Sequence, residues 1–171
     1  MPVESQLLFA NEEADSATRA AKEISISDEP PWKIMVIDDD NDIHDLTSMV
    51  LRKLTFANRP VNLIDGYSGV DARRLIQEHP DTAIVLLDVV METDIEGLEV
   101  VQFIRNEMNN KLVRIIIRTG QPGHAPEAGV VDQYDIDDYL DKINIRDQTL
   151  HTVITTNLRA FNLLHTIQNN K

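Results

Sequence analysis

Ala83-Ile84-Val85-Leu86-Leu87-Asp88 is the stretch on which the fold turns. Five apolar residues follow one another without the alternation that a half-wet sheet imposes. That is the habit of a central parallel strand covered on both faces. The run ends in a carboxylate. Working outward, the same unit recurs. Lys33 to Ile37 is a short apolar strand ending in Asp38-Asp39-Asp40, and Ile43 to Leu54 carries apolar residues at 43, 46, 50, 51 and 54, which is helical spacing. Val61 to Ile64 is a second strand, followed by Asp65-Gly66-Tyr67-Ser68-Gly69 and a helix over Val70 to His79 that Pro80 stops. Beyond Asp88, a third helix is marked by Leu98, Val101, Phe103, Ile104 and Met108, and Val113 to Ile117 is another buried strand. Gln121 to Pro126 reads as a loop with a short fourth helix after it, Tyr139-Leu140 as a last strand, and Arg146 to Gln168 as a long final helix. Strand and helix alternating in this way predict an α/β domain with a five-stranded parallel sheet. Right-handed crossovers leave few topologies for it.

The 171 residues, 42% hydrophobic, suit one such domain with extensions. Residues 1–31 contain Asn11-Glu12-Glu13-Ala14-Asp15 and end in Glu29-Pro30-Pro31. They read as an N-terminal extension or linker, with a short helix between Ala14 and Ile24. Residues 32–160 form the domain, and 161–171 continue the last helix. No run of eighteen apolar residues is present, so no membrane span is expected, and a cytoplasmic location is the default. The absence of cysteine excludes disulfides and thiolate metal sites. A formal net charge of −13 argues against direct binding of nucleic acid. None of the five histidines (44, 79, 124, 151 and 165) stands at metal-ligand spacing from another, so all are expected at surface or helix positions. Trp32 and Met35 are expected to cover the core.

In an open parallel sheet the functional crevice lies at the carboxyl ends of the strands. There the sequence places Asp38 and Asp39 after the first strand, Asp88 after the third, Thr119-Gly120 after the fourth and Lys142 after the fifth. Each has an ordinary explanation. Asp40 or Asn41 caps the first helix, Asp88 starts a turn, Thr119 belongs to turn chemistry and Lys142 is a solvated charge. As a set they make a different kind of sense. Carboxylates packed together repel one another, and a divalent cation such as Mg²⁺, which takes oxygen ligands and keeps several waters, relieves this. Asp39 and Asp88 are the expected direct ligands, with Asp38 acting directly or through water. A carboxylate also serves as a phosphoryl acceptor. A hydroxyl and an ammonium, Thr119 and Lys142, then suit the phosphoryl oxygens, and Gly120 leaves room for the group to approach.

The pieces Ile34-Met35-Val36-Ile37-Asp38-Asp39-Asp40, Leu86-Leu87-Asp88-Val89-Val90-Met91 with Gly97-Leu98, Thr119-Gly120, and Tyr139-Leu140-Asp141-Lys142 resemble, in that order, the receiver domain of response regulators. The resemblance implies a flavodoxin-like, doubly wound (βα)5 fold like that of the chemotaxis regulator, with strand order 2-1-3-4-5. It implies Mg²⁺ held by Asp39, Asp88 and the Val90 carbonyl, beside the Asp38 already placed in the metal set, together with phosphorylation of Asp88 and phosphoryl contacts from Thr119 and Lys142. Thr119 and Tyr139 take the switch positions. A sensor histidine kinase or phosphotransfer protein is the implied partner, and the domain is a switch rather than an enzyme. The stretch Arg118 to Glu127, with Asp88 to Asp94, is similar to a narrower subgroup whose receiver precedes cyclic-di-GMP signalling domains or a kinase. Glu92 and Ile143 stand where the family usually has proline, and the Asp88–Gly97 loop is one residue longer than the common pattern. Apolar Val90 cannot position an attacking water, so a long-lived phosphoryl state is expected.

Two other readings use some of the same residues. A haloacid-dehalogenase-type phosphatase would employ Asp38, Asp40, Thr119 and Lys142 but would leave Asp88 without a role. A pseudo-receiver would bind a partner without being phosphorylated. Signal output is expected through the last helix. Roughly 22 residues from Arg146 span about 33 Å, longer than a strand of about 17–20 Å. Phe161, Leu164 and Ile167 are therefore expected beyond the cover of the domain. There, with the fourth helix and last strand, they offer a surface for a second copy or an output domain.

Overall fold

The computed structural model describes residues 27–93, 95–120, 134–142 and 147–170; of residues 119 and 147 it describes the backbone alone. The order is β1 (Trp32–Ile37), α1 (Asn41–Leu51), β2 (Thr55–Phe56), β3 (Arg59–Gly66), α2 (Gly69–Glu78), β4 (Ile84–Asp88) and α3 (Glu96–Gln102). A π-helical turn over Phe103–Glu107 follows, then β5 (Arg114–Thr119), β6 (Asp138–Asp141) and α4 (Asp147–Asn169). The sheet runs β2-β3-β1-β4-β5-β6. Its five long strands pair in parallel and follow the expected 2-1-3-4-5 order. The expected short fourth helix after Pro126, the helix at Ala14–Ile24, the path around Ile143 and the start of the last helix at Arg146 lie outside the described residues.

β2 is the departure from a five-stranded sheet. Leu54 fits the helical spacing, yet α1 ends at Leu51, and Leu54 is buried from the connection that follows. Ala57 and Asn58 then take positive φ values of 52° and 59°, which turn the chain into an antiparallel pairing of Thr55–Phe56 with Arg59–Pro60. Two successive residues at positive φ match the twist of a hairpin.

The apolar runs are buried on both sides, as a doubly wound sheet requires. On one face Met35, Ile37, Val85, Leu87, Ile115 and Ile117 pack with Ile76 of α2 and Val100 of α3. On the other, Ile34, Val36, Ile84, Leu86 and Ile116 meet Leu51 of α1 and Leu150, Ile154 and Leu158 of α4. Trp32 and Met35 are core residues, as expected. Phe161 is not where the length of the last helix would place it. It is buried edge-on against Trp32, with ring centroids 6.2 Å apart. The helix reaches one turn further over the domain because Trp32, at the start of β1, extends the covered surface to meet it. The exposed apolar residues of its end are Leu163 and Ile167.

The third helix also differs in detail. The π-helical turn admits one extra residue and brings both Ile104 and Arg105 inside. Arg105 joins an ion network at the amino-terminal ends of β5 and β6, away from the crevice. It meets Asp137 at 2.8 Å and donates to the carbonyls of Asn110, Val113 and Asp135.

Candidate functional site

β1 and β4 are neighbours in parallel register, with Ile37 opposite Leu87. Asp38 and Asp88, the next residues, therefore emerge side by side at the carboxyl edge. β5 sets Arg118 beside Asp88, and β6 sets Asp141 beside Thr119, so Lys142 is delivered to the same edge. Lys142 Nζ lies 2.7 Å from Asp38 Oδ2 and 2.7 Å from Asp88 Oδ2. Asp39, exposed, adds a third carboxylate, and one oxygen of each of the three lies within 4.8 Å of the others. The structure thus brings together Asp38, Asp39, Asp88 and Lys142. Val90 follows at the rim, its N–H donating to Asp88 Oδ1 at 3.3 Å. Thr119 closes β5 beside them, and Tyr139 lies half-buried in β6 against the α2/α3 core.

A set of carboxylate oxygens without thiolate or paired imidazole fits a hard, oxygen-seeking divalent ion such as Mg²⁺ or Mn²⁺. Asp38 has little freedom within it. Its Oδ1 accepts from the Asp40 N–H at 3.1 Å, and its Oδ2 is shared by Lys142 and Arg118, the latter at 3.4 Å. Asp40 caps α1, its side chain accepting from the Asp42 N–H at 2.9 Å. A fully buried, engaged Asp38 beside a helix-capping Asp40 is not the open nucleophile and acid pair of a phosphatase.

Burial pushes the Asp88 carboxyl above its usual range, and Asp38 adds to this, while Lys142 and the Val90 N–H pull it back. The native state therefore holds the Asp88 proton more tightly than the unfolded chain does, and ionisation at neutral pH costs stability. Asp88→Asn is expected to stabilise the protein at pH 7 by about 1 kcal/mol, about 3 °C in Tm. The gain should vanish below about pH 3.9, where the carboxyl is protonated in both states. Thermal melts of both proteins across pH 3–8 check this. A destabilised variant at pH 7 would show that the Lys142 pair outweighs burial.

Three residues of the site escaped the sequence reading. Arg118 is buried in β5, and its guanidinium donates to Thr47 Oγ1 of α1 at 2.8 Å as well as to Asp38. The signal was a charge inside Arg-Ile-Ile-Ile-Arg-Thr, a strand covered on both faces. His44 lies on helix α1, one of the two kinds of position expected for it, but its ring is buried. Its Nε2 donates to the Asp38 carbonyl at 2.8 Å, its Nδ1 lies 2.7 Å from Asp65 Oδ1, and its ring meets Tyr67. Helical periodicity alone gave no sign of this, because the partners lie on β1 and β3. Glu96 spans two loops, accepting from the Gly69 N–H at 2.6 Å and the Glu92 N–H at 2.9 Å. This explains the missing proline: residue 92 must donate its N–H, which proline lacks.

The strand order, the aspartates at adjoining strand ends and the bridging lysine define a phosphoryl-switch domain, and the chain belongs to the response regulator receiver domain family, whose pattern matches residues 34–155. It is similar to 3′3′-cGAMP-specific phosphodiesterase 2 of Vibrio cholerae serotype O1, 41% identical over 164 residues; these are 96% of this chain and 31% of that protein. The chain therefore spans about a third of that curated relative. In fold it resembles a receiver domain protein from Clostridium thermocellum, with TM-score 0.65, 22% identity, and coverage of 78% of this chain and 98% of that one. It also resembles a CheY-like receiver from Methanospirillum hungatei JF-1, with TM-score 0.61, 20% identity, and coverage of 77% and 97%. The protein is thus a receiver domain of two-component signalling, a switch that in this family works with histidine kinases or phosphotransfer proteins and binds Mg²⁺ at an acidic cluster. Among the described residues no helix is long and apolar enough to cross a membrane.

Proposed function

We propose that Asp88 is the phosphoacceptor, with a divalent cation held by Asp39, Asp88 and the Val90 carbonyl and steadied by Asp38. The observation that carries this is Lys142 Nζ bridging Asp38 and Asp88 at 2.7 Å each, with Asp39 beside them. A lysine so placed orients the acceptor carboxylate and supplies an ammonium for the phosphoryl oxygens as they arrive. The donor is a phosphohistidine of a sensor kinase or phosphotransfer protein. As an Asp88 oxygen bonds to phosphorus, the P–N bond breaks, and the departing imidazole nitrogen keeps the electron pair and takes up a proton. The bound metal screens the anionic acceptor from the anionic donor. Thr119 binds a phosphoryl oxygen, and Tyr139 reports the change to its surface.

The likeness to a cyclic-dinucleotide phosphodiesterase over 96% of this chain supports an output of that kind, regulated by the state of Asp88. The surface carrying the signal is placed on β6 and the exposed end of α4, where Leu163 and Ile167 await a second copy or an output domain. Beryllofluoride, a phosphoryl mimic, tests the site. Bound ¹⁹F resonances are expected only with Mg²⁺ present, and none in Asp88→Asn. Sustained hydrolysis of p-nitrophenyl phosphate, lost in Asp38→Asn and kept in Asp88→Asn, would overturn the reading in favour of a phosphatase.

A further inference from the structure

Arg118 is a charged side chain that the proposed phosphoryl chemistry does not use. It is 2% exposed, and it lies beneath the acidic crevice rather than at its mouth. It is anchored from two sides, at Thr47 of α1 and at Asp38 just beyond β1, and Thr47 in turn donates to the Ile43 carbonyl at 2.7 Å. A guanidinium stays charged in a protein, so the crevice contains a permanent cation that can neither leave nor be titrated away. Lys142 has a tether that ends at the rim; Arg118 is walled in.

Formal charge shows what this does. Asp38, Asp39 and Asp88 stand against Lys142 and Arg118, one negative charge in excess. A divalent cation turns that into one positive charge in excess. A dianionic phosphoryl group on Asp88, replacing a single carboxylate charge, then brings the metal-loaded crevice to neutrality. Without Arg118 the balance moves by one: the resting metal-loaded crevice is neutral and the phosphorylated one is left negative. In a partly desolvated site such imbalance is costly.

We propose that Arg118 is a built-in counter-ion that weakens metal binding, so that the resting domain holds its ion loosely and needs the added charge of a phosphoryl group on Asp88 to hold it tightly. It acts through charge and through Asp38, without touching the metal; ion and phosphoryl group favour each other reciprocally, and Arg118 sets the low resting affinity from which the rise begins. The phosphoryl half of this inference rests on the function proposed above; the resting half does not.

Mn²⁺ binding, read from the loss of the free-ion EPR signal, tests the resting half without any phosphodonor. Arg118→Gln is expected to bind Mn²⁺ on the order of tenfold more tightly than the parent protein. Arg118→Lys, which keeps the charge and loses the two-pronged hydrogen bonding, should bind within about twofold of the parent. If Arg118 were only a brace for Asp38, both variants would bind more weakly, and that result overturns the proposal. Unchanged affinity in Arg118→Gln overturns it equally. With beryllofluoride added, Mn²⁺ affinity should rise at least tenfold in the parent protein and by a similar factor in Arg118→Gln, which starts from the tighter resting affinity. The parent measurement stands even if Arg118→Gln fails to fold, and a rise below about threefold there contradicts the coupling. No ¹⁹F signal at Asp88 in a parent protein that binds Mn²⁺ would instead remove the phosphoacceptor reading and with it the coupled half. The Mn²⁺ affinities of the resting variants would still decide the other half.

Discussion

Gly97→Ala is expected to lower stability by about 3 kcal/mol and to weaken uptake of beryllofluoride at Asp88 by at least tenfold. Gly97 opens α3 and lies hard against the end of β4, its N–H donating to the Val89 carbonyl at 3.1 Å. A β-carbon there would fall on the Asp88 carbonyl oxygen and come within 2.7 Å of the Val89 Cα. These are backbone atoms, so no side-chain rotation relieves the overlap. Either α3 tilts away, opening the core around Val100 and Val101, or the strand end carrying Asp88 moves and leaves its register with Asp38 and Lys142. Urea unfolding and ¹⁹F titration of the same sample read the two consequences. A variant within 0.5 kcal/mol of the parent, with normal uptake, would mean that the β4–α3 junction yields without cost.

Arg105→Met should be as damaging to the fold but should spare the switch. The guanidinium, 3% exposed, serves Asp137 and the carbonyls of Asn110, Val113 and Asp135. Methionine fills much of the volume and satisfies none of them. Asp137 keeps Arg114, at 2.6 Å, and the Ile115 N–H, at 2.7 Å, but loses half of its neutralising charge. Removing one partner from a buried pair costs about 3–5 kcal/mol. Burial already pushes the Asp137 carboxyl up, with the Ile115 N–H, Arg114 and Arg105 opposing it, so the substitution raises it further. A raised carboxyl favours the native state when protonated, so the loss should be largest at pH 7 and shrink as the pH falls toward 4. Chemical denaturation at both values checks this. At temperatures where the variant is folded it should still take up beryllofluoride, because the network lies at the opposite end of the sheet from Asp88. A loss that is the same at both pH values would assign the cost to the carbonyls alone.

Much of this architecture was written in short-range patterns. The Ala83–Leu87 run and its counterparts located the parallel strands along the chain, because a strand buried on both faces has no polar alternation to confuse it, while their order in the sheet came from the family resemblance. Asp38, Asp39, Asp88 and Lys142 were legible as a site because strand ends in such a sheet must converge. What escaped depends on contacts between distant elements. Leu54 obeyed a helical period while the backbone had already left the helix for a hairpin. Phe161 was read by helix length, and Trp32 had extended the surface it covers. Arg105 was carried inside by a π-helical turn that no periodicity announces. Arg118, His44 and Glu96 owe their burial to partners on other strands and loops, so their residue types alone pointed to the surface.

The most direct measurement is the mass and position of the label after treatment with acetyl phosphate. With Mg²⁺ the intact chain should gain one phosphoryl group, about 80 Da, and peptide mapping after borohydride reduction should place it on Asp88. Without Mg²⁺, or in Asp88→Asn, the mass should not change. A label on Asp38 or any other residue, or one that persists in Asp88→Asn, would contradict the assignment of Asp88 as the acceptor.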